Sequence, residues 1–164
     1  MNDEEPLSKE QVDLEILKIL SKDGRESYRK IAQVLNKSPV TIKSHVEELE
    51  KEGIIKSYGA QLEYEKLGYD IIAFIEVTVS KGKMLEVEEE IAKNPNVFGV
   101  YDITGTYDAL ILAKFKTRKE LSKMIKNIHA SEYVESTNTH LVLNVVKEGS
   151  SFVNLIEKER KNEK

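Results

Sequence analysis

The stretch SYRKIAQVLNKSPVTIKSHVEELEKEGII, residues 27–55, decides the fold of the first part of this chain. Apolar residues recur at helical spacing before and after a short turn at residues 36–37. Ser38 is placed to cap the second segment, and Pro39 falls at its first helical position, where a missing N–H costs nothing. The stretch therefore predicts two amphipathic helices joined by a tight turn, which is the plan of a helix-turn-helix.

A further amphipathic helix is predicted ahead of this stretch. Ser8 and Gln11 have the spacing of a capping box, and Gly24 favours the end of the helix. The pattern predicts a domain of three helices over residues 7–56. Its inward-facing residues are expected to be Val12, Ile16, Ile19 and Leu20 in the first helix, Ile31, Val34 and Leu35 in the second, and Ile42, Val46 and Leu49 in the third.

The third predicted helix, Pro39–Lys51, is the candidate for contact with DNA, because a helix-turn-helix presents its second helix to the major groove. Small polar groups begin its outward face, and five basic residues accompany one acidic residue between positions 25 and 46. A three-helix bundle without a nucleic-acid role is the alternative, and the short turn and local positive charge favour DNA. The candidate DNA-binding residues are Arg29, Lys37, Ser38, Val40, Thr41, Lys43 and Ser44.

The end of the same helix is acidic, with Glu47, Glu48, Glu50 and Glu52 close together. Because phosphates repel carboxylates, we expect only the N-terminal half of the helix to approach a duplex. The acidic half is expected to be a solvated face or to pair with nearby lysines.

Composition limits the classes of protein that the chain can belong to. Of its 164 residues, 40% are hydrophobic and 33% are charged, which suits a soluble globular protein of one ordinary or two small domains. No apolar run approaches the roughly 20 residues of a membrane helix, and the acidic N-terminus does not resemble a signal peptide. The chain has no cysteine for a disulfide or a thiolate metal site, so a cytoplasmic location is expected. The net charge of −4 means that any DNA contact must come from a local basic patch.

A hinge strand and linker are predicted over residues 57–68, followed by a second domain over residues 69–147. Strands are predicted at 71–79, 97–103, 107–115 and 134–146, with helices at 84–92 and 118–129. The inward-facing residues are expected to be Leu85, Val87 and Ile91 in the first of these helices, and Leu121, Ile125 and Ile128 in the second. The order βαββαβ indicates a ferredoxin-like domain, with two helices on one face of an antiparallel sheet. The predicted fold class is therefore α+β, with a winged-type helix-turn-helix domain, a hinge strand and a ferredoxin-like domain.

The other face of the predicted sheet has no helices to cover it. Ile72 and Phe74 on the first strand make this face apolar. A second copy of the chain is the simplest cover for such a face.

These segments together resemble the leucine-responsive regulatory protein/AsnC (Lrp/AsnC) family of transcription regulators. The resemblance is carried by LEILKILSKDGRESYRKIA, SPVTIKSHVEELEKEGIIKSYGAQLEYEKLGY and VYDITGTYDALILAKF, which occur in the family's order and spacing. The motifs that match are Asp23-Gly24-Arg25, Ser38-Pro39, Leu49-Glu50-Lys51-Glu52-Gly53-Ile54-Ile55 and Gly105-Thr106-Tyr107-Asp108. One departure concerns DNA: family recognition helices commonly carry arginines where this chain has Ser44 and His45.

The resemblance implies double-stranded DNA as a partner and a homodimer, which in many members assembles into an octamer. It also implies an amino-acid effector near the Gly-x-x-Asp turn, in a cleft between subunits. The effector-binding candidates are Gly105, Thr106, Tyr107, Asp108, Thr137 and Thr139. A turn offers N–H groups to a carboxylate, and an aspartate can receive an ammonium group. The alternative is that Gly105 and Asp108 only build the turn.

The last segment, residues 148–164, runs past the usual end of the family. Its apolar Phe152, Val153, Leu155 and Ile156 precede a highly charged end, which predicts a short amphipathic helix. We expect this helix to pack on a neighbouring subunit rather than fray.

An enzymatic role is not indicated, and no catalytic residue, metal or cofactor is assigned. The three histidines, His45, His129 and His140, lie on three separate predicted elements without metal-ligand spacing. Sirohaem-type decarboxylases share a similar fold and are one alternative, and an amino-acid sensor without DNA binding is another. The preferred hypothesis is a sequence-specific DNA-binding transcription regulator modulated by an amino acid or a related small effector.

Overall fold

The computed structural model describes residues 7–80, 82–149 and 152–162. The chain divides into two compact units. The helical unit combines the chain up to Gln61 with the segment from Glu148 onward, and the sheet unit is Leu62–Lys147. The division at Gln61 falls within the linker that the sequence predicts over residues 57–68.

Three helices open the helical unit: α1 is Lys9–Lys22, α2 is Tyr28–Leu35 and α3 is Pro39–Lys51. Each begins at a serine whose side chain accepts a hydrogen bond from a backbone N–H three residues ahead. The capping box predicted for α1 is confirmed, because Ser8 and Gln11 exchange both hydrogen bonds. These local bonds explain why the helix starts follow from the sequence.

The core of the helical unit lies between α1, α2 and α3, and most of the predicted inward residues are buried in it. The prediction that Val34 faces inward is wrong, because this residue is 61% exposed and Ala32 is buried instead. Along a helix, Ala32 and Leu35 lie on the same side of Ile31, whereas Val34 lies on the other. The remaining predicted residues line the core: Val12, Ile16, Ile31, Ile42, Val46 and Leu49 are buried, and Ile19, Leu20 and Leu35 pack against them.

The C-terminal segment forms a helix, as predicted, but it packs within the helical unit of its own chain rather than on a neighbouring subunit. This helix, α6, is Phe152–Asn162, and it contacts α1. Val153 and Ile156 are buried, whereas Leu155 is exposed. The helical unit is thus built from two segments that are far apart in the sequence.

The sheet unit contains four antiparallel strands in the order β2-β3-β1-β4. The strands are β1 Ile71–Val79, β2 Val97–Asp102, β3 Ala109–Phe115 and β4 Val134–Leu141, and the helices are α4 Met84–Ala92 and α5 Arg118–His129. Together they form the predicted ferredoxin-like βαββαβ arrangement. Both helices have the bounds that the sequence predicts.

One face of this sheet packs against α4 and α5. The alternation of β1 directs Ala73, Ile75 and Val77 into this core. The helices contribute residues that are buried there: Val87, Ile91, Leu121, Met124 and Ile128. The prediction that Leu85 faces inward is wrong, because this residue is 70% exposed. It precedes Val87 by two residues, which places it about 200° away around the helix.

β1 has the bounds that the sequence predicts, whereas the other three strands are shorter than predicted. No strand forms over residues 57–68 in the described chain. β4 ends at Leu141, opposite Ala73, instead of at residue 146, and the bond from Val142 N to Ile72 O continues its contact with β1 by one residue. The predicted hinge strand is replaced by irregular chain and a short 3₁₀-helix, Glu65–Leu67. An extended segment needs a neighbouring strand for its backbone hydrogen bonds, and one chain alone supplies none here.

Candidate nucleic-acid interface and effector site

The N-terminus of α3 is fixed by its own polar side chains. Ser38 Oγ accepts a hydrogen bond from Thr41 N at 3.0 Å and lies 2.8 Å from Thr41 Oγ1. Pro39 occupies the first turn. Because the two hydroxyls are bonded to each other, they stabilise the helix start and are less available to DNA.

The orientation of α3 is fixed by its contacts with the core and with α1. His45 Nδ1 lies 2.6 Å from Asp13 Oδ1, and both side chains are largely buried. Lys9 Nζ contacts Glu48 Oε1 at 2.6 Å. This pairing raises the pKa of Lys9 and lowers the pKa of Glu48, chiefly through the hydrogen bond between them. His45 therefore holds α3 against α1 in this chain.

The outward face of α3 carries Val40, Lys43, Ser44 and Glu47, and all four are exposed. Lys43 Nζ and Glu47 Oε1 are 3.4 Å apart, and an exposed pair of this kind is readily exchanged for a phosphate contact. Of the other predicted DNA-binding residues, Arg29 is exposed on α2 and Lys37 is half-buried in the turn. The N-terminal half of this face is therefore basic and accessible.

The acidic end of α3 has partners within the helical unit. Glu48 pairs with Lys9 and Glu47 with Lys43, which confirms the prediction that these carboxylates meet nearby lysines. Glu50 accepts a hydrogen bond from the Tyr58 hydroxyl at 2.9 Å. Burial, followed by this hydrogen bond, raises the pKa of Tyr58 to about 12.

The predicted effector turn joins β2 and β3. Gly105 has φ +127°, a conformation that favours glycine, and both Gly105 and Thr106 are exposed. Asp108 is half-buried and bonded to β1: its N–H donates to Val77 O at 2.9 Å, and its Oδ2 accepts from Val79 N at 2.8 Å. The aspartate therefore closes the turn onto the end of β1.

Thr137 and Thr139 lie on β4, opposite Val77 and Ile75 of β1. Thr137 Oγ1 is 2.6 Å from His129 Nε2 of α5. Ala109, which directly follows the turn, and Thr137 lie on opposite sides of β1. Their backbones are therefore two strand spacings apart, about 10 Å. Thr137 thus lies at the same end of the sheet as the turn, with one strand between them, whereas Thr139 lies opposite the middle of β1.

The open face of the sheet is apolar at its centre. Phe74 pairs with Leu112, and Leu110 lies between Glu76 and Tyr101. Phe74 is 36% exposed. The Tyr101 ring lies over Gly99, where an added Cβ would meet the tyrosine hydroxyl oxygen at 2.6 Å, so a larger residue there would require the exposed ring to move.

Sequence reasoning missed two polar groupings on this open face. Glu76 Oε2 accepts hydrogen bonds from Asn138 Nδ2 at 2.8 Å and from His140 Nε2 at 2.9 Å, and these bonds lower the pKa of Glu76. Lys114 is buried, with Nζ 4.8 Å from the ring centre of Tyr64 and 5.2 Å from that of Phe98. The signal in the sequence was a single charged residue within each of two otherwise apolar strands, Glu76 in β1 and Lys114 in β3.

Two family models match the chain. The Lrp/AsnC ligand binding domain matches residues 72–152, and a winged helix-turn-helix DNA-binding model matches residues 9–56. An uncharacterized HTH-type transcriptional regulator of Pyrococcus abyssi is 42% identical over 139 residues, which cover 85% of this chain and 95% of that protein. The chain belongs to the Lrp/AsnC family.

Other members of the Lrp/AsnC family match over similar lengths. HTH-type transcriptional regulator FL11 of Pyrococcus furiosus is 36% identical over 137 residues, covering 84% of this chain and 91% of that protein. The structure of Escherichia coli AsnC has a TM-score of 0.80 at 26% identity and covers 85% of this chain and 95% of its own. The structure of a Neisseria meningitidis transcriptional regulator in complex with L-Met has a TM-score of 0.79 at 25% identity. The match covers 89% of this chain and 97% of that one. This Lrp/AsnC protein is therefore a DNA-binding transcription regulator.

The Pyrococcus and Neisseria relatives named above are transcriptional regulators. Each histidine of this family member is bonded to a different residue: His45 to Asp13, His129 to Thr137 and His140 to Glu76 and Asn138. Over residues 7–80, 82–149 and 152–162, no three His, Asp or Glu side chains gather where they could hold a metal ion. In the same ranges, no helix is both long and apolar enough to cross a membrane.

Proposed function

We propose that this chain is a sequence-specific regulator without enzymatic activity that binds double-stranded DNA as a homo-oligomer and responds to an amino acid or a related small effector. The observation that carries the proposal is the outward face of α3. Val40, Lys43 and Ser44 are exposed together at the start of a helix whose orientation is fixed by the core. The N-terminal part of the second helix is where a helix-turn-helix meets base edges and phosphates.

A homodimer follows from two unsatisfied surfaces of the single chain. The open sheet face exposes apolar side chains around Phe74. The segment over residues 57–63 has no strand partner. A second copy offers the same face and the same segment, related by a two-fold axis, and so satisfies both. Two copies also present two α3 helices, which predicts half-sites in inverted orientation, separated by helical turns of DNA.

An effector site is supported by the exposed turn at Gly105 and Thr106 and by the matched ligand-binding domain. The Neisseria relative that was solved with L-Met belongs to the same fold. Tyr107 and Asp108 complete the turn, Thr137 adds a hydroxyl group at the same end of the sheet, and Thr139 adds one further along β4. The Asp108 carboxylate has a second oxygen beyond the one that Val79 N occupies, and this oxygen is suited to an ammonium group.

The test is binding of the purified full-length protein to duplex DNA selected from a randomised library. We expect enrichment of inverted half-sites, and a complex that survives competitor DNA and weakens steeply as salt rises. Repeating the titration with a mixture of amino acids that includes L-methionine tests the effector. Absence of any enriched sequence or specific complex would contradict the DNA-binding proposal and leave the sensor without DNA binding. A specific complex that no amino acid alters would contradict the effector alone.

A further inference from the structure

Val40 is the first of the four outward side chains of α3, and it is 78% exposed. Ile42, Val46 and Leu49 supply the packing of this helix, so Val40 adds nothing to the core. Valine is also a weaker helix former than alanine, lysine or glutamate. Neither folding nor helix stability explains an exposed valine at this position.

The hydrogen-bonding side chains around Val40 are already engaged. Ser38 and Thr41 bond each other at the cap, and His45 is bonded to Asp13. The exposed side chains that remain for DNA in the first half of α3 are Val40, Ser44 and Lys43, the last in a surface pair with Glu47. Of these three, only Val40 is apolar.

We propose that Val40 is a specificity-determining residue that contacts the C5-methyl group of a thymine in the DNA bound by each copy of the chain. In the major groove thymine alone among the four bases carries a methyl group, whereas the other base-edge positions are hydrogen-bond donors or acceptors. An apolar side chain at the start of a recognition helix therefore selects thymine by burying that methyl group. The inference rests on the proposed DNA-binding function and names what one residue of its site recognises.

The experiment replaces each thymine of the selected duplex in turn by deoxyuridine, which lacks only the methyl group. At one thymine per half-site we expect the wild-type affinity to fall about fourfold, the factor for losing one buried methyl group. Val40→Ala is expected to bind the thymine duplex more weakly by a similar factor and to show no further loss on the deoxyuridine duplex. This non-additivity identifies Val40 as the residue that meets the methyl group.

Val146→Ala is the matched control, because Val146 is 91% exposed and lies in the sheet unit. It should keep the wild-type ratio of thymine to deoxyuridine affinities at every position. A Val40→Ala protein that kept the wild-type ratio would overturn the inference, as would a wild-type protein insensitive to every thymine methyl group. Both results require a bound duplex, so they differ from the failure of the proposed function, in which no duplex is bound specifically.

Discussion

The helical unit and the sheet unit each carry a candidate binding site, but they use polar side chains differently. In α3, Ser38 and His45 position the helix, and other residues, Lys43 among them, face outward. In the turn of the sheet unit, Asp108 both closes the turn and is the candidate for the effector's ammonium group. A substitution on the outward face of α3 can therefore change DNA binding without changing the fold. A substitution at Asp108 affects the structure of the turn and the proposed effector contact at the same time.

The largest effect is expected from Lys43→Glu, which tests the α3 side of this comparison. We expect DNA affinity to fall roughly a hundredfold or more, because a phosphate contact is replaced by repulsion. Titration of the selected duplex measures the loss, and the free energy of unfolding should fall by less than about 1 kcal/mol, because the substitution exchanges only the exposed pair with Glu47 for a repulsion. Lys123→Glu makes the same charge change on exposed α5 and should bind normally. Wild-type affinity of Lys43→Glu would show that α3 is not the DNA-binding helix.

Val153→Asp tests whether α6 belongs to the helical unit. Burying a carboxylate against α1 should lower the free energy of unfolding by about 2–4 kcal/mol. Leu155→Asp, on the exposed side of the same helix, should change it by less than about 0.5 kcal/mol. Denaturant titration followed by circular dichroism distinguishes the two variants. Equal stabilities would mean that the contact between α6 and α1 does not stabilise the protein.

Two variants of Asp108 separate its two roles. Asp108→Ala removes the acceptor for Val79 N, which should cost about 1.5–3 kcal/mol of stability, and it should abolish any effector response. Asp108→Asn keeps an oxygen acceptor but loses the charge, so it should retain most of the stability and still lose the response. Thermal unfolding and DNA titrations with amino acids give the two readouts. A full response in Asp108→Asn would assign this residue to the turn alone.

Phe74→Asp tests the open sheet face. A charge at this position should raise the dimer dissociation constant by about tenfold or more, because it would be desolvated in the interface. Sedimentation velocity over a concentration series measures the change. Leu143→Asp, on a fully exposed side chain of the same unit, should sediment like the wild type. If Phe74→Asp also did so, the dimer would use another surface.

The smallest effect concerns pH and the Glu76 cluster. Hydrogen bonds from His140 and Asn138 hold the pKa of Glu76 below its usual 4.5 in the folded protein. The stabilisation is therefore present above the unfolded-state pKa and is lost as the pH falls through the lowered folded-state pKa. The wild type should lose stability more steeply below about pH 4.5 than Glu76→Gln does. Identical pH profiles of unfolding would show that the cluster does not stabilise the fold.

Much of the fold was predictable because its signals are local. The bounds of α4 and α5 and the capped starts of α1 and α3 follow from residues within one helical turn of each other. The errors concern features that depend on contacts between different helices or strands. Val34 is exposed because of where α2 meets its partners, and the end of β4 depends on how far it stays paired with β1 beyond Ala73.

The sequence by itself determined the two units, the orientation of α3 through its apolar stripe, and the residues that its outward face carries. Only the tertiary structure decided which polar groups are already bonded. Asp13 meets His45 across 32 residues, Val79 meets Asp108 across 29, and Glu76 meets His140 across 64. Hydrogen bonds between residues so far apart in the chain leave no periodic trace in the sequence, because they depend on how helices and strands pack rather than on how each one forms.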